Sequence, residues 1–146
     1  MTSDYKIKVK QRFDELAPSY SKNAVGFIKN KRLEKIKKYI KKTDTVLEIG
    51  CGSGNLLREI DSENIYGIDI SQKMIEQCKK NLSRGNFIVA DAENLPFKDN
   101  FFDKVIISEV LYYFPDLNAA ISEAFRVLKK DGLLLITSLN KKYNFV

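Results

Sequence analysis

A short apolar run leads directly into three glycines at alternate positions in this chain of 146 residues. The run at 46–49 is typical of a buried strand, and Gly50, Gly52 and Gly54 follow it. Because glycine has no Cβ, such a turn can adopt positive φ and lets a ligand approach the backbone N–H groups. A helical pattern over 55–60 follows, and the N-terminus of a helix favours an anionic group. The sequence therefore predicts a strand, turn and helix that form a pocket of the nucleotide-cofactor type.

Composition limits what such a pocket can do. The chain is 44% apolar and 30% charged, as in an ordinary globular domain, and no apolar run approaches the roughly 20 residues of a membrane span. The first residues do not form the apolar core of a signal peptide, so we expect a cytoplasmic protein. Cys51 and Cys78 lie far apart and the chain has no histidine, so we expect neither a disulfide nor a metal site. The missing histidine also excludes mechanisms that need a histidine base.

Charge is distributed unevenly along the chain. Residues 1–42 carry 13 Lys and Arg against 4 Asp and Glu, whereas residues 43–146 carry 12 against 15. We therefore expect a basic helical segment over 1–42 and a cofactor-binding domain over 43–146, joined in one compact unit. A lysine-rich solvated helix face is the simplest interpretation of the basic segment, and a surface for nucleic acid or an anionic substrate is the alternative.

Hydrophobic periodicity predicts an alternation of strands and helices after the basic segment. Two helices come first, one ending near Ala17 because of Pro18 and one over 26–42. Five strands follow, at 45–49, 65–68, 87–89, 104–108 and 133–137, with helices at 55–60, 71–82 and 117–128. Gly132 is predicted to close the last helix. Because the strands are apolar on both faces, the pattern predicts an α/β fold with a Rossmann-like, doubly wound parallel sheet.

Two acidic residues extend the pattern of the glycine turn. Asp69 ends the second strand 19 residues after Gly50, where an acidic side chain can meet the hydroxyls of a ribose. Asp91 follows the third strand, with a helix N-cap as the alternative role. NAD is disfavoured, because its fingerprint needs a glycine where this chain has Asn55. A tight turn without any ligand is the remaining alternative.

At these residues the chain resembles the class I S-adenosylmethionine (SAM)-dependent methyltransferases over about residues 43–139. The residues that carry the resemblance form five segments, Glu48-Ile49-Gly50-Cys51-Gly52-Ser53-Gly54, Tyr66-Gly67-Ile68-Asp69-Ile70-Ser71, Asp91-Ala92 with Leu95-Pro96-Phe97, Phe102-Asp103, and Arg126-Val127-Leu128-Lys129 with Gly132. The branch that it resembles is the small-molecule branch, similar to methyltransferases of the ubiquinone/menaquinone type. The segment from Phe13 to Tyr20 is similar to the lead-in segment of that branch.

The resemblance implies SAM as the cofactor and assigns residues to its parts. Asp69 would accept from the ribose hydroxyls and Ile70 would lie against adenine, whose amino group and N1 would meet Asp91 and the Ala92 N–H. Glu48 would lie near the SAM ammonium or cap backbone N–H groups. The full predicted cofactor set is Tyr20, Glu48, Gly50, Cys51, Gly52, Gly54, Asp69, Ile70, Asp91, Ala92 and Glu109.

The segment after the fourth strand borders the methyl donor and the acceptor in the family. Glu109, Tyr112 and Tyr113 are therefore the candidate catalytic residues, and the catalytic residue itself stays unknown. The two tyrosines replace an aromatic-and-histidine pattern common in relatives, so a histidine does not remove the acceptor proton here. Glu109 would orient the SAM amino group or the acceptor, and it is alternatively a solvated loop carboxylate.

Methyl transfer to a small-molecule acceptor by in-line displacement is the function that the resemblance implies. A SAM-binding regulatory or assembly subunit without turnover is one alternative, and an RNA methyltransferase that uses the basic segment is another. The family's C-terminal antiparallel hairpin is not recognisable in the sequence. We therefore expect the fifth strand to be an apolar edge, and three explanations stay open: a truncated sequence, a second copy that pairs with the edge, or a partner subunit that completes the fold.

Overall fold

The computed structural model describes residues 2–20 and 26–138, which form five helices, five strands and one 3₁₀ turn. In chain order these are α1 (Thr2–Tyr20), α2 (Gly26–Lys37), β1 (Thr45–Ile49), α3 (Asn55–Arg58), β2 (Asn64–Asp69), α4 (Gln72–Asn81), β3 (Asn86–Val89), β4 (Phe102–Ser108), the 3₁₀ turn (Leu111–Tyr113), α5 (Leu117–Val127) and β5 (Leu128–Thr137).

All five strands are parallel and lie in one sheet, in the order β3-β2-β1-β4-β5. The chain runs outward from β1 through β2 to β3, and then returns to pair β4 with the free side of β1. The strand order therefore reverses between β1 and β4, and ligands of open α/β sheets bind at the carboxyl ends of the strands at such a point. The predicted Rossmann-like parallel sheet is confirmed.

Apolar side chains cover both faces of the sheet. Leu47 of β1 and Val105 of β4 are fully buried on the face that α5 covers. Their neighbours Val46 and Ile106 are fully buried on the opposite face, against α2, α3 and α4. Successive strand residues point to opposite faces, so this alternation explains why the strands read as nearly continuous apolar runs.

Both N-terminal helices end elsewhere than predicted. Pro18 lies inside α1, which continues to Tyr20. A proline so close to the end removes only one hydrogen bond of the final turn, and that turn is held by the burial of Ala17 at 3% exposure. Conversely, α2 ends at Lys37 and not at residue 42. The Asp44 carboxylate accepts a hydrogen bond from the Lys41 N–H at 2.8 Å, which favours a turn over another turn of helix.

The helix after the glycine turn has four residues, Asn55–Arg58, where six were predicted. It ends in 3₁₀-type hydrogen bonds, in which the N–H groups of Glu59 and Ile60 donate to the carbonyl oxygens three residues earlier. A single turn carries little macrodipole, so the expected anion-favouring helix end contributes less than the sequence suggested.

Between α5 and β5 the chain changes directly from helix to strand. Leu128 is already extended, and β5 begins there and not at Leu133. The predicted glycine stop at Gly132 is therefore wrong. A Cβ at Gly132 would lie 2.7 Å from the Leu128 side chain and 2.9 Å from the Asp103 carbonyl oxygen, so the glycine serves close packing inside the strand.

The outer edge of β5 carries exposed apolar side chains. Leu133 and Ile136 are 43% and 45% exposed, and β5 is a terminal strand of the sheet.

Of the helices between residues 2 and 138 that the structure describes, none is long and apolar enough to cross a membrane.

Candidate functional site

A cavity of about 580 Å³ lies at the point where the strand order reverses. The glycine turn and the carboxyl ends of β2, β3 and β4 form its floor, and α1 lies over it. Its volume suits a ligand of cofactor size. Every predicted site residue except Gly54 lines it, namely Tyr20, Glu48, Gly50, Cys51, Gly52, Asp69, Ile70, Asp91, Ala92, Glu109, Tyr112 and Tyr113.

The glycines of the turn have different roles. Gly52 has φ +54°, and a Cβ there would face the cavity 3.4 Å from the Tyr20 ring. Gly54 has φ +85°, and its Cβ would lie 2.8 Å from the Cys78 Sγ, which explains why it packs on α4 and does not line the cavity. Gly52 therefore leaves backbone open to a ligand opposite Tyr20, and Gly50 also lines the cavity.

Asp69 is fixed by backbone hydrogen bonds from two turns. Its Oδ2 accepts from the Gly52 N–H at 3.0 Å, and its Oδ1 accepts from the Ser71 N–H at 2.9 Å. Burial raises the pKa of this carboxyl, although these hydrogen bonds oppose the increase. Each carboxylate oxygen can accept a second hydrogen bond, so Asp69 offers two oriented acceptors. Ile70 lines the cavity directly beyond it.

Asp91 forms an ion pair with a lysine of α1 and does not stand at the start of a helix. Its Oδ2 lies 2.7 Å from the Lys6 Nζ, which also lies 2.5 Å from Glu93. Its Oδ1 accepts a hydrogen bond from the Glu93 N–H at 3.0 Å. The interpretation of Asp91 as a helix N-cap is therefore wrong, because the residue begins a turn. The adjacent Ala92 is 8% exposed and lines the cavity.

Glu48 is a buried carboxylate with an unsatisfied oxygen. The residue is 3% exposed, and its Oε2 has no hydrogen-bond partner among the described residues. Burial first, and then the neighbouring Cys78 and Asp69, hold the pKa of this carboxyl well above its usual value. In its ionised form this unpaired carboxylate would be costly to bury, and a cationic ligand group would offset that cost.

Cys51 lies beneath the turn as an unreactive thiol. It is 5% exposed, and its pKa is raised well above the usual value by a hydrogen bond with Cys78 and by burial. Because thiolates and not thiols are nucleophiles, this cysteine serves packing. Both cysteines are free.

Glu109 has an unusual backbone and a buried carboxylate. Its φ is +62°, which is uncommon for a residue with a side chain, and it follows the last residue of β4. Its Oε1 lies 3.3 Å from the Arg32 Nε of α2, without the geometry of a hydrogen bond. The expectation of a solvated loop carboxylate is therefore wrong.

Aromatic side chains form the wall of the cavity under α1. The Phe13 ring packs edge-on against Tyr113 at 5.0 Å and against Tyr20 at 6.4 Å between centroids. Tyr112 packs on Tyr113 at 4.6 Å and is 51% exposed. Burial raises the pKa of Tyr112 and that of Tyr20, so neither phenol favours ionisation at neutral pH.

The sequence did not reveal three side chains that build this site, namely Lys6, Asp14 and Arg32. Asp14 attaches α1 to the floor, because its Oδ1 accepts hydrogen bonds from the Ser71 hydroxyl at 2.5 Å and the Lys73 N–H at 3.2 Å. Their partners lie far away in the sequence, so no local spacing could indicate them. Of the three, only Asp14 lies in a segment that the sequence singled out, the one similar to the family's lead-in segment. No group of three or more residues suited to a metal ion occurs in the described ranges 2–20 and 26–138.

The fold and the site together define a Rossmann-like α/β domain that binds a nucleoside-type cofactor. Residues 47–136 match the family model described as a methyltransferase domain. The chain therefore belongs to the methyltransferase domain family, whose cofactor is SAM.

Several known proteins are similar to this chain. An uncharacterized protein of Methanocaldococcus jannaschii is 40% identical over 140 residues, which cover 92% of this chain and 53% of that protein. The demethylmenaquinone methyltransferase of Thermotoga maritima is 38% identical over 100 residues, covering 66% of this chain and 44% of that enzyme. A crystal structure of a SAM-dependent methyltransferase from Methanosarcina mazei is 31% identical with a TM-score of 0.64, covering 70% of this chain and 55% of that one. The chain spans about half the length of these relatives.

The described residues fit SAM chemically. The unsatisfied Oε2 of Glu48 suits an ammonium group, and the two acceptors of Asp69 suit a ribose diol. The open backbone at Gly52 leaves room between them.

Proposed function

We propose that this chain is the SAM-binding part of a methyltransferase that acts on a small-molecule acceptor. The observation that carries the proposal is the unsatisfied buried carboxylate of Glu48 in one cavity with the oriented acceptors of Asp69. This pairing of a site for a cation with a site for a diol matches the ammonium group and the ribose of SAM.

The proposed roles are those that the resemblance to the family implies, and the position of these residues around the glycine turn and the cavity supports them. Asp69 binds the ribose hydroxyls, Ile70 lies against adenine, and Asp91 with the Ala92 backbone binds the adenine edge. At the other end Glu48 binds the ammonium group. Gly50, Cys51, Gly52 and Gly54 shape the turn beside the methionine part, and Tyr20 covers it.

SAM supplies a methyl group on a positively charged sulfur, which is already activated for transfer. The protein therefore has to hold the acceptor in line and exclude water. The aromatic wall of Phe13, Tyr112 and Tyr113 is suited to both tasks. Glu109 is the proposed group that orients the acceptor or takes its proton, because a carboxylate can act as a base where the raised pKa of Tyr112 disfavours the phenol.

Quinone methyltransferases among the relatives support a small-molecule acceptor for this chain. The basic N-terminal segment supports RNA less, because Lys6 and Arg32 form ion pairs within the fold. The exposed apolar edge of β5 supports a second copy or partner subunit at that edge.

Binding and turnover measured together test this function. Isothermal titration calorimetry should show SAM and S-adenosylhomocysteine binding, and release of S-adenosylhomocysteine should accompany incubation with a pool of small-molecule acceptors. Cofactor binding without turnover in any pool would favour a subunit that does not catalyse. RNA affinity that falls with salt and depends on residues 1–42 would favour the RNA enzyme.

A further inference from the structure

Arg32 and Glu109 form an ion pair inside the cavity, although 77 positions separate them in the sequence. The distance between Arg32 Nε and Glu109 Oε1 is 3.3 Å, and the two side chains are 20% and 16% exposed. Both residues line the cavity, Arg32 from α2 and Glu109 from the end of β4. The pair therefore joins the N-terminal segment to the end of the central sheet.

The backbone fixes the Glu109 side chain. Its N–H donates to the Thr137 carbonyl oxygen at 3.0 Å, and its φ of +62° sets the direction of the side chain. Strained backbone of this kind persists where the surrounding structure enforces it, and it concentrates at functional sites. Glu109 is thus held at the wall of the cavity, with its carboxylate oxygens buried beside Arg32.

Both members of the pair keep hydrogen-bonding capacity. Neither carboxylate oxygen of Glu109 has a hydrogen-bond partner among the described residues, although both atoms are buried. Within the same residues the Arg32 guanidinium has this ion pair and no hydrogen bond, whereas it carries five N–H donors. By contrast, Lys6 is bound to Asp91 and Glu93, and Asp69 to two backbone N–H groups.

The pair is electrically neutral as a whole, which restricts what it can bind. An anionic ligand would meet the carboxylate of Glu109, and a cationic ligand would meet the guanidinium of Arg32. A neutral hydroxyl group satisfies both, because its hydrogen can donate to Glu109 while its oxygen accepts from Arg32. The walls beside the pair are aromatic, with Phe13 and Tyr113 in edge-on contact.

We propose that Arg32 and Glu109 form the polar end of the methyl-acceptor site and select a neutral hydroxyl compound with an apolar or aromatic body. This inference rests on the proposed function. Arg32 is then the residue that sets specificity, since it supplies the donor without which a hydroxyl would gain only one of its two hydrogen bonds.

Three probes of similar shape separate the chemistries. They are 4-methylphenol, 4-methylanisole, which cannot donate a hydrogen bond, and 4-methylbenzoate, which is anionic. Binding is measured by ligand-observed NMR to the full chain saturated with S-adenosylhomocysteine. The variants are Arg32→Met and Glu109→Gln, with Arg58→Met as a control because that arginine is exposed on α3. Melting curves check that each variant folds.

We expect 4-methylphenol to bind about tenfold or more tightly than 4-methylanisole, since hydrogen bonds to charged groups are of this strength. Arg32→Met and Glu109→Gln should each reduce this preference to below about threefold, Arg32→Met should leave S-adenosylhomocysteine affinity within about twofold, and the control should keep both. Equal binding of the phenol and the anisole, tightest binding of the benzoate, or no binding of any probe would overturn the inference.

Two further results separate this inference from the proposed function. A large loss of S-adenosylhomocysteine affinity in Arg32→Met would assign Arg32 to the cofactor and overturn the inference alone. Failure of the unaltered chain to bind S-adenosylhomocysteine would overturn the proposed function.

Discussion

Replacement of Glu48 by Gln should stabilise the ligand-free protein and weaken SAM binding. The amide keeps the shape of the side chain and removes its charge. In the structure this carboxyl is 3% exposed, its Oε2 is unsatisfied, and burial holds its pKa well above the usual value. The folded protein therefore retains this proton at pH values where the unfolded chain, with a pKa of about 4.3, has released it.

The sign of the pH dependence follows from that difference. The carboxyl contributes stability below the unfolded pKa and loses this contribution as the pH rises through its raised value in the folded protein. At pH 8 the Gln variant should thus be more stable than the parent by about 1–3 kcal/mol, because the amide carries no charge to bury and an unsatisfied buried group costs more when it is charged. The gap should narrow towards pH 5.

Urea unfolding at pH 5 and pH 8, together with calorimetric titration of SAM, measures both effects. If Glu48 meets the ammonium group, the variant should bind SAM about 10- to 100-fold more weakly, as expected for the loss of a hydrogen bond between charged groups. A variant that is less stable than the parent at pH 8 and binds SAM equally well would refute this reasoning, because Glu48 would then be a structural cap.

Three other substitutions test separate parts of the structure. Gly54→Ala should destabilise the protein by about 1–3 kcal/mol in urea unfolding, because φ is +85° and the new Cβ would overlap α4, and an unchanged midpoint would contradict the turn geometry. Asp44→Ala should cost about 3–5 kcal/mol by leaving Lys104 buried without its carboxylate at 3.2 Å, and the double change with Lys104→Met should recover most of it. Lys6→Met removes the ion pair that joins α1 to Asp91. If this pair helps α1 to retain the cofactor, stopped-flow binding should show faster SAM release from the variant. Release at the parental rate would show that the ion pair has no such role.

Local patterns in the sequence were enough to predict the sheet and the floor of the cavity. Burial along nearly the whole of β1 and β4 and the positive φ of Gly52 and Gly54 follow from residue types that stand next to one another in the chain, an apolar run and glycines, and these are visible in a sequence. The Ser71 N-cap is a similar case, because its hydroxyl accepts from the Met74 N–H three positions later.

The cover of the cavity depends on contacts that a sequence does not display. Lys6 and Arg32 belong to a basic segment that looks like a solvated face, and only the folded chain brings them to Asp91 and Glu109. Gly132 gives a second example, because a glycine after a helix resembles a stop signal, whereas its close neighbour is the Asp103 carbonyl of β4. Long-range packing decided each of these cases.

Calorimetric titration of SAM into the parent protein and the Asp69→Ala variant tests the central claim most directly, with melting curves to show that the variant folds. Asp69 lies between the glycine turn and α4 with two oriented carboxylate oxygens. The parent should bind SAM at one site, and the variant should bind at least about tenfold more weakly because two hydrogen bonds to a charged group are lost. Equal affinity in the two proteins, or no SAM binding by the parent, would contradict the assignment of this cavity to SAM.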